Sequence, residues 1–403
     1  MQNNQPKSRM VIVDALRGFS LAGIVIVHMV ENYVAGSVPE EAMAVANQGI
    51  LDQVINGFIL LFLRGKFFAL FSFLFGLSFF IQMDSANRRQ EDFRGKFFWR
   101  LCLLLGIGYL HHLFYRGDIL TIYALLGIFL IPFYRIKSSW LLLLTGVLFI
   151  GIPRTLIFLS DTGLWLFGQD PIDFNDPLNR EYYSILESGS LLDVFKNNAI
   201  FGYIIKAEAQ LGIFGRAYLT FGFFLLGLWF GRLQFFRNYL EFRKETRRAL
   251  WIGLAVLVFA IGLTGFFFMQ LGPEPDFNTW WAMLGLSSLD LANLGMTVII
   301  LAGFVLLYKS PKVERALNRF APYGRMALTN YFLQSIIGTL IFYGWGFGLV
   351  GSVPNTIVFL MALGIIVIQM AISSWWLKNY YYGPLEWIWR SLTHFRYYPM
   401  KRT

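Results

Sequence analysis

Arg17 and His28 are the first residues in the chain whose types and spacing could do chemistry. Eleven positions apart on a helix, at about 100° per residue, they return to within about 20° of one face and lie roughly 16 Å apart along the axis. A guanidinium can hold phosphates or pantetheine carbonyls. An imidazole, which titrates near pH ~6.5, can serve as a general base or a transient acyl carrier. Asp14, one helical turn before Arg17, can pair with it and help shape a substrate site. The structural alternative is an ion pair at a membrane boundary, a snorkelling arginine and a histidine that caps the far helix end.

The segment 108–120 gathers His111, His112, Arg116 and Asp118 in a tight hairpin between two apolar runs. Asp118 can orient an imidazole, so Asp118 and His111 are catalytic candidates, and His112 and Arg116 could contact an acceptor. Adjacent histidines on a helix point about 100° apart and the four-residue ligand spacing of zinc helices is missing, so no metal is expected. The plainer alternative is a turn capped by Asp118 and anchored by Tyr109 and Tyr115. Arg64-Gly65-Lys66 interrupts a long apolar run; a helix broken there would put two cations beside a polar cavity suited to anionic ligands. Otherwise a surface segment ends there and the span starts at Phe67. Along 324–335, Arg325 sits at a helix start, and Asn330 and Gln334, four apart, face one way. They could line the path of an acyl carrier, or be interhelical glue. The glycine-rich stretch 344–351 superficially matches a dinucleotide loop, but no strand precedes it, so it reads as a loosened helix end. Gly227 and Gly231 make a small-residue packing face.

The elements that must position these residues are membrane helices. The chain has 403 residues, of which 56% are hydrophobic, 18% aromatic and only 14% charged, with mean hydropathy +0.55. Soluble domains carry about a quarter charged residues. Apolar runs at about 11–30, 56–82, 97–115, 119–134, 139–159, 212–233, 249–271, 282–308, 326–349 and 355–377 are each long enough to be a candidate span. Lys7 and Arg9 before the first run suggest a signal peptide, but that run carries Arg17 and His28 without a clear cleavage site, so a retained first helix is expected. Loops 84–100, 135–137, 232–248 and 309–319 are rich in Lys and Arg, and alternate with segments carrying Glu31, Glu40, Glu41, Asp52, Asp161, Asp170, Asp173, Glu274 and Asp276. That alternation predicts an all-α, polytopic protein of about ten transmembrane helices with both termini cytoplasmic. The segment 160–205, with Pro171 and Pro177, reads as extracytoplasmic loops with a short surface helix. It separates an N-terminal five-helix half, 1–159, from a C-terminal half, 206–403. The net charge of +10 belongs to this topology and implies no nucleic acid. The single cysteine, Cys102, offers neither a disulfide nor a thiolate metal site.

Five segments carry a family resemblance: Asp14-Ala-Leu-Arg-Gly-Phe-Ser-Leu-Ala-Gly-Ile, Lys66-Phe-Phe-Ala-Leu-Phe-Ser-Phe-Leu-Phe-Gly, Gly117-Asp-Ile-Leu-Thr-Ile-Tyr-Ala-Leu, Gly324-Arg-Met-Ala-Leu-Thr-Asn-Tyr and Gly383-Pro-Leu-Glu-Trp-Ile-Trp-Arg-Ser-Leu-Thr. In their order over nearly the whole chain they resemble the bacterial YeiB family, whose C-terminal half is a domain of unknown function. The first helix is also similar to that of transmembrane acyltransferases, in which a basic residue, ten intervening residues and a histidine recur; Arg17 and His28 reproduce that pattern. Many YeiB relatives carry Asn at the second place, so His28 departs toward the catalytic pattern.

The resemblance implies acyl transfer in a bacterial cytoplasmic membrane, with acetyl-CoA or another acyl-CoA as cytoplasmic donor and a sugar, lipid or small-molecule acceptor. Arg17, with Arg64, Lys66, Arg325, Asn330 and Gln334, would hold the donor, and His28 with Asp118 and His111 would do the chemistry. A transporter or exporter using the same polar stripe, or a non-catalytic membrane partner, is the alternative. Membrane lipid is the expected surrounding, and a homo-oligomer is left open.

Overall fold

The computed structural model describes residues 10–160, 166–168, 170, 173–272 and 276–402. Lys7, Arg9, Asp161, Pro171 and Glu274 lie outside the described residues. The described chain is helical, with no strand beyond an isolated bridge between Tyr380 and Lys401. Its helices run α1 Val11–Val30, α2 Glu40–Ala46, α3 Ile50–Phe58, α4 Phe67–Asn87, α5 Arg94–Phe114, α6 Leu120–Phe133, α7 Ser138–Phe149, α8 Ile152–Leu159 and α9 Pro177–Ser188. They continue as α10 Leu191–Leu211, α11 Arg216–Arg232, α12 Arg243–Met269, α13 Trp280–Tyr308, α14 Pro311–Leu317, α15 Ala321–Arg325, α16 Ala327–Phe342, α17 Asn355–Asn379 and α18 Pro384–His394.

Six of these stretches are long and apolar enough to cross a membrane: α1, the run Ile50–Asn87 that contains α3 and α4, α5, α12, α13 and α17. The pairs α7 with α8 and α10 with α11 are bent by 51° and 60°, which brings the number to eight if each pair is one span. The expected runs at 119–134 and 326–349 fall on the shorter helices α6 and α16. Every apolar run read from the sequence therefore has a helical counterpart.

Close backbone approach sets the packing. A Cβ on Gly76 of α4 would lie 2.0 Å from the Phe224 carbonyl of α11, and one on Gly227 of α11 would lie 2.0 Å from the Phe73 carbonyl of α4. Only hydrogen fits at either place, so the two helices can touch along their backbones. Gly18 and Gly324 similarly let α1 meet α15. α1 is the most enclosed of the six long helices and packs on α4, α15, α16 and α17. α12 is the least enclosed; it pairs with α13 and leaves Trp251, Val258, Phe259, Phe266 and Met269 exposed, as a lipid-facing helix would.

The connections segregate to two ends. At one end Arg232 donates to the carbonyls of Phe133, Tyr134 and Ile136. The Trp389 indole donates to the Arg100 carbonyl, and Lys309 lies within electrostatic reach of Arg243. The basic loops thus share this end. At the other end the Tyr343 hydroxyl donates to the Tyr33 carbonyl at 2.6 Å, the Gly344 amide to the Leu186 carbonyl at 2.7 Å, and the Thr356 amide to Asp52 at 2.8 Å.

Within 160–205 the structure differs from the expectation of loops with a short surface helix. Residues 191–211 form α10, started by the Ser190 and Asp193 capping box. Lys196, Asn197, Asn198, Lys206 and Glu208 break its apolar pattern. Asn198, Lys206 and Glu208 are buried rather than solvated, and periodicity alone cannot register that.

Candidate functional site

The two ends of α1 carry different chemistry. Near its start the Arg17 guanidinium donates to Asp14 at 3.0 Å and to the Ser78 hydroxyl of α4 at 3.1 Å. Asp14 is buried and Arg17 half-buried. The cation is fixed by its neighbours at the end of the bundle that carries the basic loops.

Near the other end, His28 sits in an aromatic chamber. Its ring centroid lies 5.5 Å from that of Tyr33, 5.1 Å from Tyr115 and 6.3 Å from Tyr331. Tyr331 comes from α16, Tyr115 from the end of α5, and Tyr33 from the turn after α1. Tyr33 closes the chamber against Gly338, where a Cβ would fall 2.0 Å from its ring. His28 Nδ1 and the Tyr33 hydroxyl are shielded from solvent and have no hydrogen-bond partner. Buried polar atoms are almost always paired, so two such atoms on neighbouring rings stand out. His28 lies within electrostatic reach of His111 and Arg216.

His111 faces the same aromatic walls, with its ring 4.8 Å from Tyr331 and 6.3 Å from Tyr115. Its Nδ1 lies 2.9 Å from Asp118 Oδ1, while its Nε2 is buried without a partner. Since an ionised Asp118 can only accept, Nδ1 carries the proton and a neutral His111 presents a bare lone pair at Nε2. Asp118 also accepts from Lys206 Nζ at 3.2 Å, Thr121 Oγ1 at 2.7 Å, and the amides of Leu120 and Thr121 at 3.0 and 2.9 Å. Burial pushes the Asp118 carboxyl up, but Lys206, His111 and the Thr121 amide together hold it below its ordinary value. The carboxylate is therefore ionised and locked in place.

His112 is fully committed instead. Lys206 Nζ, which can only donate, lies 3.4 Å from its Nδ1, so Nε2 bears the proton and donates to the Asn198 carbonyl at 2.9 Å. Arg116 donates to the Ala35 carbonyl at 3.2 Å and stacks 3.5 Å above the Tyr182 ring. Both are buried structural members of the hairpin.

The interruption at Arg64-Gly65-Lys66, common to the broken-helix and surface-segment readings, is present. A short π-helical segment, Ile59–Leu63, ends there, Gly65 has φ +83°, and α4 begins at Phe67. Arg64 pairs with Glu31 at 2.9 Å, and Lys66 Nζ donates to the Leu60 carbonyl. Glu31 follows the last residue of α1, so Arg64 sits at the opposite end of that helix from Arg17. The two cannot hold one phosphate between them. In 324–335, the Asn330 amide donates to the Tyr323 carbonyl at 3.1 Å and Ser373 Oγ at 2.9 Å, joining α15, α16 and α17 as glue. Gln334 is fully buried with neither amide atom partnered, and Arg325 ends α15. Among the described residues no three His, Cys, Asp or Glu side chains converge as a metal site would need.

The family described as "Protein of unknown function (DUF418)" matches residues 230–396, most of the C-terminal half. The chain is 27% identical to "Uncharacterized protein YeiB" of Escherichia coli (strain K12), over 96% of each chain. It is 28% identical to "Uncharacterized protein YxaH" of Bacillus subtilis (strain 168), over 100% of this chain and 98% of that one. It is 30% identical to "Uncharacterized 39.9 kDa protein in amylase 3'region" of Bacillus acidopullulyticus, over 97% and 96% of the two chains. This chain belongs to the YeiB-like family. In this YeiB-like chain the chamber lies mostly outside the matched segment 230–396: His28, His111 and Asp118 precede it and Tyr331 falls within it.

Sequence reasoning missed Lys206 and Asn198 on α10, Arg216 at the start of α11, and the buried pair of Arg154 on α8 with Asp290 on α13. Arg154 also donates to the Ile213 carbonyl, which holds the bend before α11. Single charges within apolar runs were the available signal, because each is costly in a bilayer.

Proposed function

We propose that this protein transfers an acyl group, acetyl by expectation, from a cytoplasmic acyl-CoA to a hydroxyl or amine acceptor at the other membrane face. In this reading all ten apolar runs span a bacterial cytoplasmic membrane, the basic-loop end and both termini face the cytoplasm, and the His28 end faces outward. His28 removes the acceptor proton, the acceptor oxygen or nitrogen attacks the thioester carbonyl, and CoA leaves as thiolate. His111, held by Asp118, supplies a second basic nitrogen in the same chamber, and Arg17 binds the donor from the cytoplasmic side. The observation that carries the reading is a pair of imidazoles, His28 and His111, that share the Tyr115 and Tyr331 rings and each keep one buried nitrogen unpartnered.

A second reading, export of a small or lipid-linked molecule, draws on the break before α4 and the bend before α11, since interrupted helices line many transport paths. The test separates them. Purified wild type and His28→Asn are both expected to gain heat resistance from acetyl-CoA. Passage of labelled acetyl from acetyl-CoA into cell-envelope acceptors should fall roughly 10²–10⁴-fold in His28→Asn, which keeps an amide but has no titratable nitrogen. Absence of protection by acetyl-CoA, or full transfer by His28→Asn, refutes the proposal; proton-coupled uptake into proteoliposomes without CoA establishes export.

A further inference from the structure

We infer that Arg64 and Arg216 form a binding site for the phosphate group of the acceptor, beside His28 and at the opposite end of α1 from the donor. The inference rests on the acyl-transfer reading for the word acceptor, and on geometry alone for the anion. Two helices begin side by side here: α4 at Phe67, after the break, and α11 at Arg216, after a bend where Gly215 has φ +62°. The Arg216 guanidinium lies 5.7 Å from the ring centroid of Phe68, so the first turns of the two helices adjoin. Neither helix has a side-chain cap on its first amides. Both helix dipoles favour an anion at these ends.

The side chains point the same way. Arg216 is exposed, and among the described residues it has no hydrogen-bond or ion-pair partner, only the Phe68 ring. Its charge reaches both His28 and Tyr115. Arg64 pairs with Glu31, which stands one helical turn past His28 on α1 and, like Arg216, lies within electrostatic reach of Tyr115. Asn293 of α13 closes the break, with its Oδ1 3.1 Å from where a Cβ on Gly65 would stand. Nearby acids are already paired, Glu31 with Arg64 and Asp290 with Arg154. The site therefore carries Arg216, which has no ion pair of its own although Asp290 lies within electrostatic reach, beside a buried, unpartnered His28 nitrogen. A phosphate presents enough oxygens to serve two guanidinium forks and two sets of helix amides together, whereas a carboxylate has only two. The donor does not compete for it, because Arg17 lies roughly 16 Å away along α1.

The experiment measures heat resistance of the purified full chain in detergent with inorganic phosphate, against acetate and chloride at equal ionic strength. Wild type should be protected saturably by phosphate and not by acetate. Arg216→Gln, and Arg64→Gln combined with Glu31→Gln, should each weaken phosphate at least tenfold while protection by CoA is unchanged. Arg216→Lys, which keeps charge without the planar fork, should fall between and serves if the Gln variant does not fold. Glycerol 3-phosphate against lysophosphatidic acid then separates a soluble ester from a lipid head group as the source of the phosphate. Equal phosphate protection in wild type and Arg216→Gln, protection by acetate alone, or loss of CoA protection in Arg216→Gln overturns the inference. Phosphate binding that persists when no acyl transfer is found leaves this site standing and sinks only the acyl-transfer reading.

Discussion

The buried charges around Asp118 allow a quantitative test of what holds the chamber. Asp118 and Lys206 are both buried, 3.2 Å apart, and Lys206 is further tied to Thr121 Oγ1 at 2.6 Å. Replacing Asp118 with Asn leaves the Lys206 ammonium buried without a counter-charge and turns an amide donor toward other donors. Breaking a buried pair from one side costs about 3–5 kcal/mol, mostly the penalty of the charge left behind. Lys206→Met removes that stranded charge and leaves Asp118 with His111 and three other donors, so about 1–3 kcal/mol is expected. The double variant should then be close to Lys206→Met alone, so the coupling in a double-mutant cycle approaches the whole Asp118→Asn cost, about 3–5 kcal/mol. Reversible unfolding of detergent-solubilised protein measures all four corners. If Asp118→Asn costs under about 1 kcal/mol, or if the two single losses simply add, Lys206 does not depend on Asp118 and the network does not organise His111.

Arg17→Gln should weaken acyl-CoA binding by about 1.5–3 kcal/mol, the range for a hydrogen bond to a charged group, while His28→Ala leaves it nearly intact; equal CoA affinity in Arg17→Gln and wild type removes the donor role. In a Cys102→Ser background, Asn175→Cys should react with an impermeant thiol reagent added to intact cells and Leu240→Cys should not; labelling of the second inverts the proposed orientation. Glu386, outside the spans, accepts from the Leu328 and Thr329 amides and the Thr329 hydroxyl, capping α16. Burial raises its carboxyl above the ordinary value despite those bonds. The folded chain then holds this proton more tightly than the unfolded chain, so this stabilisation is full below about pH 4.5 and is lost as pH rises through the folded value. Melting curves of Glu386→Gln should show a flatter decline over that interval than wild type, and an identical slope means that Glu386 is ionised in both states.

The spans were legible because bilayer thickness imposes one length on every crossing, and runs such as 11–30 and 355–377 carry little else. The break at Arg64-Gly65-Lys66 was legible for a related reason: two cations and a glycine interrupt a run that is otherwise apolar, and Gly65 does take positive φ. The shared stripe of Arg17 and His28 followed from helical period alone. α10 was not legible, since buried Asn198 reads as solvated loop, and Lys206 shows no partner, until α5 and the hairpin after it are set against them.

A polar residue on a helix looks the same in sequence whether it faces water or a buried partner, and only the partner's position decides which. Lys206 is tolerable inside because Asp118, some 88 residues earlier, is there to receive it. Asp118 in turn can orient His111 because Lys206 helps to keep it ionised. Arg216 has no such partner among the described residues, although it lies within reach of the chamber. Arg154 and Lys206 are each ion-paired to a carboxylate within the fold, whereas Arg216 forms no ion pair among the described residues and has Asp290 only within electrostatic reach. A cation without an ion pair, set among other cations such as Arg154, gains more from a bound anion than it contributes to the empty protein. The stability of the empty protein and its affinity for an anion are therefore opposed at Arg216. Arg216→Gln should accordingly be at least as heat-stable as wild type without phosphate, and less stable than wild type only once phosphate is present.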